Sequence, residues 1–260
     1  HEVIGFDQNE KLLETLSSSK FENDEPKVEE YLREYGSNFT VTQDPEVLIQ
    51  RSDITFIIVP TPSDSTHSFN NEYVLDALSA LSDALKSKSS WHLIVITSTV
   101  MPETSEKILI PYIERTTGKQ VGNDIGLCYS PEFIALGSVI NDMENPDKVL
   151  IGASDETSSH TLANFYGSIT NGQVPVVHLS LTEAEITKIA VNCFVTMKIS
   201  FANQIGAYCQ KLNNGNATSI TSAIGLDARI GQKYLTPGMG FSGPCFPRDN
   251  KAFIKAFVDV

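Results

Sequence analysis

Short, almost uninterrupted apolar runs alternate with helix-length amphipathic stretches over the first 180 residues, and this alternation limits the fold more than any other feature of the sequence. Runs such as Ile54-Thr-Phe-Ile-Ile-Val59 and Leu93-Ile-Val-Ile96 have no polar face, which marks strands covered on both sides. The pattern predicts strands at 3–6, 39–41, 54–59, 92–97, 126–129, 148–151 and 174–178. Helices are predicted near 10–17, 27–35, 44–50, 71–87, 103–117 and 156–167. Strands alternating with helices build an α/β fold with a doubly wound parallel sheet. Such sheets bind ligands beyond the carboxyl ends of their strands. The positions to weigh are therefore Asp7, Pro60-Thr61-Pro62, Ser98-Thr99-Val100 and Ser130-Pro131-Glu132-Phe133, each directly after an apolar run.

After about residue 180 the strands stop. Thr182 with Glu185 three residues on reads as a capping box. A helical period then continues to about Leu212, a rod of roughly 45 Å at the helical rise per residue, long enough to bridge domains or subunits. A second helix is predicted near 217–224, then a loop dense in Gly and Pro at 236–248, and a last helix from Asp249. The expected organisation is two domains, 1–180 and 181–260, the second all-α. Of 260 residues, 41% are hydrophobic and 20% charged, an ordinary globular balance. The net charge of −13 argues against a nucleic-acid partner, which needs a clustered basic footprint. No apolar run of about 18 residues is present to span a membrane. Four dispersed cysteines and five histidines show neither a disulfide framework nor metal-ligand spacing, so no metal and a reduced, cytoplasmic setting are expected. The polar stretch at 63–71 reads as a surface loop or a ligand flap.

Several side chains admit two readings. Asp7 ends a strand, where dinucleotide-binding domains place an acid on the adenosine ribose, or it is a turn and cap residue. Gly238-Met-Gly240-Phe-Ser-Gly243 spells G-x-G-x-x-G, but no strand precedes it and Pro-Cys-Phe-Pro follows, so it is not a phosphate fingerprint. Cys245 sits between Pro244 and Pro247 with Arg248 three residues on, a setting that favours a thiolate nucleophile; the other reading is a buried structural cysteine. Cys193 and Cys209 fall on helix stripes and read as packing. Lys188 and Asn192 share one helix face, with Asn203 about three turns beyond; that face suits an oxyanion, or is simply solvated. Glu132 reads as a general base or a surface carboxylate, and Ser98-Thr99 as hydroxyl donors or a turn.

Phe6-Asp7, Val59-Pro-Thr-Pro62, Thr97-Ser-Thr-Val100, Tyr129-Ser-Pro-Glu-Phe133, Asn145-Pro-Asp-Lys-Val-Leu-Ile-Gly152, Lys188-Ile-Ala-Val-Asn192, Ile224-Gly-Leu-Asp-Ala-Arg-Ile-Gly231 and Gly240-Phe-Ser-Gly-Pro-Cys-Phe-Pro-Arg-Asp249, in this order and spacing, resemble the UDP-glucose/GDP-mannose dehydrogenase family over nearly the whole chain. The resemblance implies a Rossmann-like NAD-binding domain followed by an all-α dimerisation domain. It also implies a four-electron oxidation, with two NAD in turn, of the C6 alcohol of a nucleotide sugar to a carboxylate. Cys245 is the implied nucleophile, adding to the aldehyde as a thiohemiacetal that becomes a thioester and is hydrolysed. Lys188 and Asn192 are the implied oxyanion groups, Asp249 assists proton transfer, and Glu132 and Thr99 hold or activate water. Asp7, Pro60, Thr61, Thr99, Glu132 and Arg248 are the implied cofactor ligands. Substrate contacts fall by the same resemblance on Phe133, Ile134, Lys188, Asn192, Arg229, Tyr234, Gly240 and Phe241. Arg229 reaches a neighbouring subunit, and the rod near 182–212 is the homodimer axis.

The family pattern also places a strand and a Gly-rich turn before the strand ending in Asp7, and a further α/β domain after the last helix. The 260 residues are therefore expected to be the middle of a larger enzyme and, alone, to bind NAD weakly or not at all. Leu136 stands where many UDP-glucose enzymes carry a second Glu before a Gly. UDP-glucose is the first substrate reading and UDP-N-acetylmannosamine, or another UDP-N-acetylhexosamine, the second. A two-electron β-hydroxyacid dehydrogenase, which needs no cysteine, and an inactive dimerising fragment are the alternatives.

Overall fold

The computed structural model describes residues 1–18, 23–172 and 174–258. The strands are β1 (Val3–Phe6), β2 (Phe39–Thr42), β3 (Ile54–Ile57), β4 (His92–Ile96), β5 (Ile125–Tyr129), β6 (Val149–Ala153) and β7 (Val176–Leu179). The helices are α1 (Glu10–Ser17), α2 (Val28–Tyr35), α3 (Pro45–Arg51), α4 (Glu72–Ser87), α5 (Ile110–Thr117), α6 (Val139–Glu144), α7 (Glu156–Ile169), α8 (Leu181–Cys209), α9 (Ala217–Gly225) and α10 (Phe246–Val258). The chain divides into two compact units: His1–Thr61 with Asn71–Glu185, and Pro62–Asn70 with Ile186–Val260.

In the first unit β1 pairs in parallel with β2, and β3-β4-β5-β6-β7 form a second sheet. Successive residues of β4 and β5 alternate their side chains between two cores. Ile94, Ile96, Leu127 and Tyr129 pack with Val74, Leu78, Leu81 and Leu85 of α4. Leu93, Val95 and Cys128 pack with Leu162 of α7. Every residue of β4 and β5 is buried, which is why those runs carry no polar alternation.

The parallel sheet is found with one exception: β6 runs antiparallel to β5, with Cys128 opposite Ala153 and Tyr129 opposite Gly152. The connection between them, residues 130–148, contains one helix, the six-residue α6, rather than a full crossover helix of the kind that usually returns a chain to the start of a parallel neighbour. The fourteen residues of α7 supply such a helix, and β7 joins β6 in parallel. Gly152 lies where a Cβ would come within 2.6 Å of the Ala184 Cβ and 2.9 Å of the Ser180 carbonyl, so the close approach of α8 to β6 requires glycine.

Three sequence expectations are corrected. The capping box of α8 is Ser180 with Glu183, not Thr182 with Glu185: the Ser180 amide donates to Glu183 Oε2 and the Glu183 amide to Ser180 Oγ. Glu185 is fully buried instead and accepts from the Ser105 amide at 2.8 Å. The rod ends at Cys209 rather than Leu212, and the last helix begins at Phe246 rather than Asp249, with Pro247 in its first turn where a missing N–H costs nothing. No helix among the described residues is long and apolar enough to cross a membrane.

Candidate functional site

In the first unit, hydroxyl groups latch the carboxyl ends of three neighbouring strands. Ser98, just after β4, donates to the Val59 carbonyl at 2.7 Å and accepts from the Val59 amide at 2.9 Å. Thr61 donates to the Thr99 carbonyl at 2.6 Å, and the Ser130 amide donates to the Ile96 carbonyl at 2.9 Å. Ser130 also donates its hydroxyl to the Leu150 carbonyl and lies 3.1 Å from the Tyr166 hydroxyl. Thr61, Ser98 and Ser130 are all buried. The predicted positions Pro60, Thr61 and Thr99 thus stand together, and Glu132 and Phe133 follow at the end of β5. Burial pushes the Tyr166 hydroxyl above its usual range, and the charge of Glu132 adds to the shift. Lys148 sits 4.5 Å over the Phe133 ring, while Ile134 and Leu136 are exposed.

Asp7 stands apart, at the end of β1 in the two-stranded sheet. Its Oδ1 accepts from the Asn9 amide at 2.7 Å, and Asn9 rather than Asp7 caps α1. The turn reading therefore holds for one carboxylate oxygen, and no bond to Oδ2 is found among the described residues.

In the second unit, α8 and the start of α10 meet through Asp249, which is 1% exposed. Asn192 donates to its Oδ2 at 2.6 Å and Arg248 Nε to its Oδ1 at 3.1 Å, so both oxygens of a buried carboxylate are satisfied. The Asp249 amide in turn bonds to the carbonyl of Cys245, which places Cys245 directly before the helix and its unpaired N–H groups. Of the four free cysteines Cys245 is the exposed one, contrary to the buried structural reading. Burial, with Asp249 adding, pushes the Cys193 thiol up to about 11, and burial pushes Cys128 to about 12, so both stay protonated. Lys188 lies one turn before Asn192 on α8.

The Gly/Pro loop is held from the same helix: Asn203 Oδ1 accepts from the Gly238 amide at 2.8 Å. The loop enters no helix until Phe246, so the G-x-G-x-x-G spelling has no fingerprint geometry. Phe241 meets Phe246 edge-on at 6.5 Å; Gly240 lies on the exposed part of the loop. Tyr234 takes a φ of +63° and is half exposed, and Arg229 pairs with its neighbour Asp227 at 2.6 Å on the surface. Ser98, read from the sequence as a hydroxyl donor or a turn, donates to backbone here; Ser130, Tyr166 and Phe69 are structural supports to which sequence reasoning assigns no specific role. Ser130 stood directly after a buried strand, and Phe69 was a lone aromatic in a polar loop.

Residues 1–170 match the NAD binding domain of the UDP-glucose/GDP-mannose dehydrogenase family, and residues 182–259 match its central domain. The chain belongs to this family. It is 34% identical over 98% of its length to the UDP-glucose 6-dehydrogenase AglM of Haloferax volcanii, of which it covers 60%. It is 29% identical over 97% of its length to the GDP-mannose 6-dehydrogenase of Pseudomonas syringae, of which it covers 58%. Among solved structures, a UDP-glucose dehydrogenase from Pyrobaculum islandicum superimposes over the whole chain with a TM-score of 0.90 at 34% identity, and the chain covers 59% of it. The chain thus spans about 60% of the length of the family relatives it matches.

Proposed function

We propose that the protein carrying this chain oxidises the C6 hydroxyl of a nucleotide sugar to a carboxylate in two NAD-dependent steps. The observation that carries this reading is Cys245, exposed at the start of α10 and one turn from the Asp249 carboxylate that Asn192 and Arg248 hold. A two-electron hydroxyacid dehydrogenase has no use for a thiol there. UDP-glucose is the substrate placed first, on 34% identity to a protein named for it against 28–30% for relatives named for GDP-mannose; UDP-N-acetylmannosamine remains the second reading.

The residues present fit a dinucleotide. The Oδ2 of Asp7 suits ribose hydroxyls, and Pro60, Thr61, Thr99 and Glu132 crowd the strand ends where such cofactors bind, with Arg248 the implied cationic ligand. Because the Thr61 hydroxyl is committed to the Thr99 carbonyl, it shapes this edge rather than donating to a ligand. NAD, when bound, accepts the hydride of each oxidation. Glu132 and Thr99 hold a water that relays the alcohol proton to solvent in the first oxidation, and in the last step they activate a water that attacks the thioester. The Cys245 sulfur bonds to C6 of the aldehyde while Lys188 and Asn192 stabilise the oxygen that gains charge. Loss of a hydride leaves a thioester, and water then releases the carboxylate and returns the thiol. Asp249 moves the proton to and from sulfur. Phe133, Ile134, Gly240, Phe241 and Tyr234 line the substrate.

The same reading makes α8 a homodimer axis, with Arg229 serving the neighbouring subunit. Phe194, Met197, Phe201 and Tyr208 recur at steps of three, four and seven residues on one face of α8 and are 59%, 55%, 43% and 63% exposed. Light scattering that returned a single-chain mass would contradict the dimer. For the chemistry, Cys245→Ala in the intact protein is expected to lower uronate formation by at least ~10³-fold; uronate formed at the wild-type rate would remove Cys245 from the mechanism.

A further inference from the structure

Residues 62–70 join β3 to α4 in chain order, yet they pack within the unit that carries Cys245. Their sequence is polar, Pro-Ser-Asp-Ser-Thr-His-Ser-Phe-Asn, with Phe69 the one large apolar side chain. They form a closed hairpin. Ser63 bridges Phe69, the Asp64 amide bonds to the Ser68 carbonyl at 2.9 Å, and the Asn70 amide to the Pro62 carbonyl at 2.8 Å. Asp64 Oδ1 accepts from the Thr66 amide and hydroxyl, both at 2.7 Å, and from the Ser68 amide at 3.1 Å. The Thr66 hydroxyl above all holds that carboxyl below its usual range, and the charge of Lys255 adds to the effect.

This preformed hairpin delivers Phe69 to a buried position, 4% exposed. The guanidinium carbon of Arg248 lies 4.6 Å from the centre of its ring, a cation–π distance. Arg248 is therefore held on its face by Phe69 and at Nε by Asp249, whose other oxygen takes Asn192. A planar guanidinium packed in this way has one orientation that satisfies both contacts.

We propose that Phe69 is a positioning residue. Its ring fixes Arg248, and through Arg248 the Asp249–Asn192 pair next to Cys245. The inference rests on the reading that these side chains act on the substrate. Leucine fills much of the same space without a π face, whereas tyrosine keeps the face, so the two separate orientation from packing.

In the intact protein, Phe69→Leu is expected to lower kcat about tenfold with KM within about twofold, and Phe69→Tyr to recover most of that loss. A thermal double-variant cycle reads the contact without turnover: Phe69→Leu combined with Arg248→Met is expected to melt no lower than the worse single variant. An unchanged kcat in Phe69→Leu, an equal loss in the leucine and tyrosine variants, or additive melting shifts would each overturn the inference. A wild-type protein that oxidises no nucleotide sugar would instead overturn the dehydrogenase reading, while non-additive melting would still support the ring–guanidinium pair.

Discussion

The strand ends of the first unit and the start of α10 in the second hold their residues by different means. Ser98, Thr61 and Ser130 are buried hydroxyls bonded to backbone carbonyls on or just beyond neighbouring strands, so their places follow from the register of β3, β4, β5 and β6. Asn192, Arg248 and Asp249 hold one another side chain to side chain, Asn192 and Asp249 from 57 residues apart. The first arrangement extends a hydrogen-bonded ladder and gains its rigidity from it. The second has no ladder and relies on both oxygens of one buried carboxylate being bonded. Loss of one latch in the first site therefore leaves the others in place, and loss of one partner in the second strands the rest.

After the loss of Cys245 itself, the largest expected effect tests the second site alone. Lys188→Ala is expected to lower kcat about 10²–10³-fold with little change in unfolding, because a cation that stabilises a developing oxyanion acts on the reaction rather than on the fold. Steady-state kinetics beside a denaturant titration would show both; an unchanged kcat would return Lys188 to a solvated helix face. Next is the contrast itself. Asp249→Ala leaves Arg248 and Asn192 facing an empty site and is expected to cost about 3 kcal/mol, whereas Ser98→Ala removes one hydroxyl latch and is expected to cost about 1–2 kcal/mol. Equal costs in urea unfolding would erase the distinction between ladder and network.

The smallest effect lies at the opposite ends of the same strands. His92 is buried at the start of β4, 2.9 Å from the Thr55 hydroxyl. Burial, with the Lys88 charge adding, lowers it from 6.5 to about 4. The unfolded chain takes up this proton near its ordinary range and the folded chain does not until about pH 4, so stability falls as pH drops through that window. From this group alone the loss between pH 7 and pH 6 is roughly 0.7 kcal/mol. Urea midpoints against pH should lose that increment in His92→Leu, and an unchanged slope would show that His92 does not titrate in this way.

Much of the first unit was legible because burial on both faces writes itself into β4 and β5 as unbroken apolar runs, and the candidate ligand positions follow those runs. Strand direction is not written there: a five-residue run such as Val149–Ala153 reads the same in either sense, and β6 is found antiparallel to β5 only in the pairing itself. Ser180/Glu183 and Thr182/Glu185 both satisfy the capping spacing, and what separates them is the burial of Glu185 against the Ser105 amide, a contact 80 residues away in sequence. Cys245 and the Lys188/Asn192 pair stood out by residue type and spacing, and Asp249 through the family resemblance. That Asn192 and Arg248 share the two oxygens of Asp249 did not, because such pairing is a property of packing between α8 and α10. Phe69 was concealed by the polar residues around it.

Cys245 as the carrier of a second oxidation is tested most directly by counting NADH formed per nucleotide sugar consumed in the intact protein. Two NADH per sugar is the expected result. One NADH per sugar, with an aldehyde or ketone as the final product, would contradict it.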